Sequence, residues 1–85
     1  MNKNKILIEL YIPLIEKSYD LYIPINKTIG TIKKLIEEGL VDLTDDAYEI
    51  KEYTNLFSKE TGKIYDVNQT VRETDLKNGS KVILI

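Results

Sequence analysis

The chain of 85 residues contains no cysteine, no histidine and no tryptophan. Without cysteine there can be no disulfide, no thiolate nucleophile and no zinc site built on sulfur, so packing has to hold the fold. Without histidine neither a Ser-His-Asp nor a Cys-His arrangement can be assembled, and the serines and threonines lack an imidazole base to activate them. An excess of charge is missing too: 14 acidic against 12 basic residues give a net charge of -2. The two signs are interspersed, and no basic stripe points to nucleic acid or anionic lipid. Long apolar runs are absent as well. Ile6–Ile8 and Val82–Ile85 fall far short of the ~20 residues of a membrane span, and the start from Met1 to Lys5 leads into no signal-peptide core. A cytoplasmic protein with no direct membrane insertion is expected.

What is present is ordinary for a globular domain. Apolar residues make up 42% and charged residues 31%, too apolar for a disordered chain. No linker, repeat or low-complexity tract divides it, so a single domain is expected over 1–85, with an ordered core from about Lys5 onward.

From Lys5 to Ile12, the residues Ile6, Ile8, Leu10 and Ile12 alternate with Lys5, Leu7, Glu9 and Tyr11, the period of a strand with one buried face. Pro13 to Lys17 interrupts this pattern. Tyr19, Leu21 and Ile23 then alternate with Ser18, Asp20 and Tyr22 until Pro24 stops the ladder, so the first two strands read as a hairpin. After Pro24 the period changes: Ile29, Ile32, Ile36 and Leu40 recur at spacings of three and four, with Lys33, Lys34, Glu37 and Glu38 on the other side. The spacing predicts an amphipathic helix over about Ile29–Leu40, with Thr28 as its N-cap and Gly39 near its end, where a left-handed residue is often needed.

Val41 to Asn55 is compatible with a loop or with one short helical turn. Leu56-Phe57 and Ile64-Tyr65 read as the third and fourth strands, reversed through the polar stretch Ser58 to Lys63 with its glycine. Asn78-Gly79 supplies a tight turn before a fifth strand, Lys81 to Ile85. A hairpin, one helix and further strands imply an α+β domain: a mixed sheet of four to five strands with the helix across one face, the other face left open.

Ile23-Pro24-Ile25-Asn26-Lys27-Thr28-Ile29, followed by Ile32, Lys33 and Ile36, resembles the strand-to-helix passage of ubiquitin-like β-grasp proteins, in which a threonine caps the helix before an isoleucine. Within that superfamily the chain looks most like the small bacterial proteins of the YukD and EsaB type. Leu56 to Lys63, with Thr61-Gly62-Lys63, and then Asp75 to Lys81 with the closing apolar strand carry that likeness. The resemblance implies a ubiquitin-like β-grasp fold and an accessory or regulatory role in type VII (ESX-like) secretion. Ubiquitin and the sulfur carriers end in a Gly-Gly tail whose carboxylate is activated. Here the last strand runs into Ile85, so neither conjugation nor sulfur carriage is expected.

The candidate chemistry is sparse. Glu37-Glu38 and Asp45-Asp46 are possible acid-base pairs, but adjacent residues diverge, and solvated surface charge is the simpler reading. Asp42, Asp45, Asp46, Glu49 and Glu52 lack the ligand spacing and central glycine of a calcium loop, so they read as a solvated or partner-facing segment rather than a metal site. No GxGxxG or GxxxxGK[ST] occurs, and no cofactor is implied. The six tyrosines could stack on bases, but they sit among acidic residues without a positive groove; Tyr19 reads as core. The chain is therefore expected to be no enzyme and to bind other proteins. If the alternating apolar residues of the strands face the helix, then Leu7, Tyr11, Tyr22, Ile83 and Ile85 point away and form an apolar patch on the open face. Scattered surface apolar residues are the plain alternative. Self-association through the second strand's edge or through the open face is left open.

Overall fold

The computed structural model describes residues 4–85. Met1 to Lys3, part of the start read above as leading into no signal-peptide core, lies outside the described residues. The elements are β1 (Lys5–Ile12), β2 (Lys17–Pro24), α1 (Ile29–Leu43), β3 (Leu56–Ser58) and β4 (Ser80–Leu84). They form one four-stranded sheet in the order β2-β1-β4-β3. β1 lies inside it, antiparallel to β2 and parallel to β4, and β3 closes the far side antiparallel to β4. This is the mixed sheet with one helix that the pattern of periods implies.

Alternation decides which face is buried. Ile8, Leu10 and Ile12 of β1, Ile23 of β2, Leu56 of β3 and Val82 and Leu84 of β4 are buried against Ile29, Ile32, Ile36 and Leu40 of the helix. Each pair i, i+2 on a strand and each i, i+3 or i, i+4 on the helix falls on the same side, so the two apolar surfaces are preformed in sequence. Pro13–Ile15 forms a 3-10 turn between β1 and β2, closed by Glu16 in the left-handed region at φ 54. That short turn fixes the register Ile12↔Lys17 through Lys5↔Pro24.

Thr28 caps the helix as expected, its hydroxyl accepting from the Thr31 amide at 3.2 Å. The far end departs from the sequence reading. The helix runs on to Leu43, and Gly39 sits inside it rather than at its end. The last turn is instead closed by Thr44, whose hydroxyl donates to the Leu40 carbonyl, and by Asp45 and Asp46 in the left-handed region at φ 49 and 66. Aspartate tolerates that region better than most residues, so two aspartates rather than a glycine terminate the helix.

The sequence implies three strands after the helix, and two form, β3 and β4; the Ile64-Tyr65 strand is the one that does not. Ile64 makes only an isolated bridge to Phe57, and Tyr65 donates its amide to the Leu56 carbonyl without extending a ladder. Gly62, at φ 74, provides the reversal. The rest of the passage to β4 is tied to the start of the helix. The amides of Ile29 and Gly30 donate to the Gln69 and Val67 carbonyls, and Val71, fully buried, donates to Lys27. A Cβ at Gly30 would lie 3.2 Å from the Val67 carbonyl oxygen, so this close approach uses the missing side chain. Gly79, at φ 89, forms the turn before β4. No helix among the described residues is long and apolar enough to cross a membrane.

Candidate functional site: the open face of the sheet

With α1 covering one face, the other presents the second set of alternating side chains. Register places them in rows. Tyr11 stands opposite Ile83, Ile83 opposite Phe57, and Phe57 bridges to Ile64. At the ~4.8 Å spacing of paired strands, these four side chains make one continuous apolar band across the sheet. The next row is charged: Asp20 lies opposite Glu9 and Glu9 opposite Lys81. Lys59 donates its amide to the Lys81 carbonyl and holds its ammonium 5.8 Å from the centroid of the Tyr11 ring, a cation–π contact at the edge of the band. The face is thus an apolar strip with a mixed-sign rim.

The five residues singled out from sequence do not form a single cluster. Tyr11 and Ile83 are neighbours in the apolar band. Leu7 and Tyr22 pair with each other at the far end of the hairpin, separated from the band by the Glu9–Asp20 row. Ile85 lies past the end of β4, exchanging both backbone hydrogen bonds with Asn55 and lining a hollow of about 160 Å³ with Ile12, Leu14 and Tyr53. Phe57 and Ile64 were missed as members of the band. In a three-residue strand, alternation is too short to phase, and the residue that looks like core points out while Ser58 is buried. Ser58 stays satisfied because it accepts from the Thr61 amide.

A buried polar network shapes the molecule on the helix side of the sheet. Glu37, read from sequence as solvated, is only 1% exposed. Its carboxylate accepts from Lys33 Nζ at 2.9 Å, from the Tyr48 hydroxyl at 2.7 Å, from the Thr54 hydroxyl at 3.2 Å and from the Lys51 amide at 3.3 Å. Burial raises its pKa, but the Lys33 ammonium, the Tyr48 hydroxyl and the Lys51 amide outweigh that cost and leave the carboxyl below its ordinary value. Burial and the adjacent carboxylate push the Tyr48 phenol well up. The network pins the 44–54 segment onto the helix and seats Tyr48 in the core. Adjacent Glu38 is exposed, so the pair diverges as helix geometry requires. Among the described residues no group of three acidic side chains converges to hold a metal ion.

No protein-family model matches the chain, and no curated protein matches it. Solved structures do. A chain described as a molecular mimic of SUMO that promotes DNA repair aligns at a TM-score of 0.75 and 20% identity, covering 100% of this chain and 95% of that one. A ubiquitin from Caldiarchaeum subterraneum aligns at 0.68 and 16%, covering 94% and 90%. A chain of the ESX-5 inner membrane complex free of MycP5 aligns at 0.72 and 12%, covering 96% of this chain and 21% of that much longer one. The class is therefore plain: the chain has the ubiquitin-like β-grasp fold, an α+β architecture.

Proposed function

We propose that the chain is a non-enzymatic protein-binding module that docks a partner on the open face of its sheet. The observation that carries this reading is the band of Tyr11, Ile83, Phe57 and Ile64 with its charged rim. Interfaces concentrate aromatic and aliphatic anchors at the centre and charge at the edge, and Tyr11 and Phe57 are the anchors this face offers. We further propose that it acts in the cytoplasm as an accessory or regulator of a type VII, ESX-like secretion apparatus. The residues of its last third resemble the YukD and EsaB type, and its fold is shared by part of a chain of an ESX-5 inner membrane complex. A ubiquitin-like adaptor without a secretion role is the alternative.

Affinity purification from the native cell, followed by mass spectrometry, separates these readings. The unmodified chain recovers secretion-machinery proteins, whereas Phe57→Asp and Ile64→Asp lose them at an unchanged circular-dichroism spectrum. Recovery of the same partners by all three chains refutes the face. Partners that include no secretion component, lost on the same substitutions, leave the adaptor reading in its place.

A further inference from the structure

The charged row of the open face has an order of its own. From β2 to β3 it runs Asp20, Glu9, Lys81, Lys59: Asp20 is the cross-strand neighbour of Glu9, Glu9 of Lys81, and the Lys59 amide donates to the Lys81 carbonyl. Negative charge thus occupies the half on β2 and β1, and positive charge the half on β4 and β3. Like charges on neighbouring strands are destabilising, so the placement of Asp20 beside Glu9 and of Lys59 beside Lys81 does not serve the isolated sheet.

The row is also enclosed. Leu7 and Tyr22 run along one side of it, and Tyr11, Ile83 and Phe57 along the other. A partner that buries both apolar rows must cover the charges between them, and a charge covered without its opposite is strongly unfavourable. The occupant of the whole face therefore has to carry the reverse order of signs.

A second copy of the chain does so. In a two-fold, face-to-face pair whose axis runs along the strands between β1 and β4, the sheets stack ~10 Å apart and β2 of one copy faces β3 of the other. Glu9 then meets Lys81 of the second copy and Asp20 meets Lys59, each pairing being made twice. In the adjoining row Tyr11 meets Ile83 of the second copy, apolar against apolar. Four strands at ~4.8 Å, with the span from Leu7 to Tyr11 at ~3.4 Å per residue, give a footprint of roughly 300 Å². That is well under the ~800 Å² each partner contributes to a standard interface, so the pair is weak and reversible.

We propose that the open face pairs with that of a second copy in a two-fold dimer selected by its charged row, and that this pairing masks the band from any other protein. The dimer rests on the reading of the open face as a docking surface and names what occupies it when no other partner is bound.

Sedimentation equilibrium of the full chain from ~20 µM to ~1 mM is expected to show a monomer–dimer equilibrium with a dissociation constant on the order of 100 µM, weakening as salt rises from about 20 to about 200 mM. Glu9→Lys and Lys81→Glu each set like charges against each other, and each variant alone is expected to be monomeric. Their equimolar mixture restores the dimer, since opposite signs again face each other at both crossings. Circular dichroism checks that both variants fold. Independently of them, dilution of the unmodified 15N-labelled chain moves the amides of Glu9, Tyr11, Phe57, Lys81 and Ile83 and leaves Lys34 and Glu38 in place. A chain monomeric at the highest concentration, a dimer that either single variant retains, a mixture of folded variants no more associated than its components, or dilution shifts confined to residues off the face overturns the proposal. A monomer throughout, with Phe57-dependent recovery of secretion proteins, overturns the dimer and leaves the proposed function standing; a dimer without that recovery supports the dimer and removes the secretion role.

Discussion

Replacing Glu37 with glutamine removes a single negative charge from a site that holds four donors, and its cost can be worked from the contacts. The glutamine oxygen can still accept from Tyr48 and the Lys51 amide, but its NH2 then faces the Lys33 ammonium and the Thr54 hydroxyl. Hydrogen bonds to charged groups are worth about 1.5–3 kcal/mol each, and breaking one partner of a buried pair costs about 3–5 kcal/mol. The Lys33 side chain is 14% exposed and recovers some hydration, so the lower end applies and a loss of about 2–3 kcal/mol is expected. At about 0.05–0.15 kcal/mol per residue, a domain of this size has roughly 4–13 kcal/mol in total, so the loss is a large share. Urea denaturation followed by far-UV circular dichroism measures it, and the thermal midpoint should fall by roughly 10–20 °C. Glu38→Gln, one residue away and exposed, should change stability by less than about 0.5 kcal/mol. Equal effects of the two substitutions would refute the buried network.

Further expectations follow from the same contacts. Glu37 has its carboxyl below the ordinary 4.5, so its contribution is complete above about that pH and is lost as pH falls through the depressed folded value; an acid titration of stability should be shallower in Glu37→Gln than in the unmodified chain. Thr28→Ala removes the hydroxyl that accepts from Thr31 and should cost about 1 kcal/mol in urea denaturation, whereas Thr28→Asn should recover most of it. Glu16→Gly relieves a left-handed non-glycine residue at φ 54 and should raise the thermal midpoint by a few degrees, worth up to about 1 kcal/mol. Gly39→Ala should stabilise the helix by roughly 0.5–1 kcal/mol in the same assay.

The parts of this molecule that sequence reveals are those built on a sustained period. β1 and β2 each alternate over eight residues, and Ile29, Ile32, Ile36 and Leu40 hold the helix face, so the elements and their buried sides were legible. The failures occur where the chain is short or its chemistry is non-local. The three residues of β3 cannot reveal a phase, and Phe57 faces outward against its hydrophobicity because Leu56 and Ser58 take the inner positions. Glu37 lies on the helix side that sequence assigns to solvent, and it is buried because the 44–54 segment folds over it; that segment has no period of its own. Helix termination by Asp45 and Asp46 was hidden by a nearby glycine that serves no terminal role. The open face is legible through Tyr11 and Ile83, but register alone could show that Leu7 and Tyr22 stand apart from them and that Ile85, paired with Asn55, lies past the end of β4.

Docking on the open face is tested most directly by site-specific photo-cross-linking in the producing cell, with a benzophenone amino acid placed at Ile64, at Phe57 and, as controls, at the exposed positions Lys34 and Glu52. The account predicts discrete adducts of one partner protein from Ile64 and Phe57 and none from Lys34 or Glu52. Adducts from the control positions alone, or none from the band in a chain that remains folded, would contradict it.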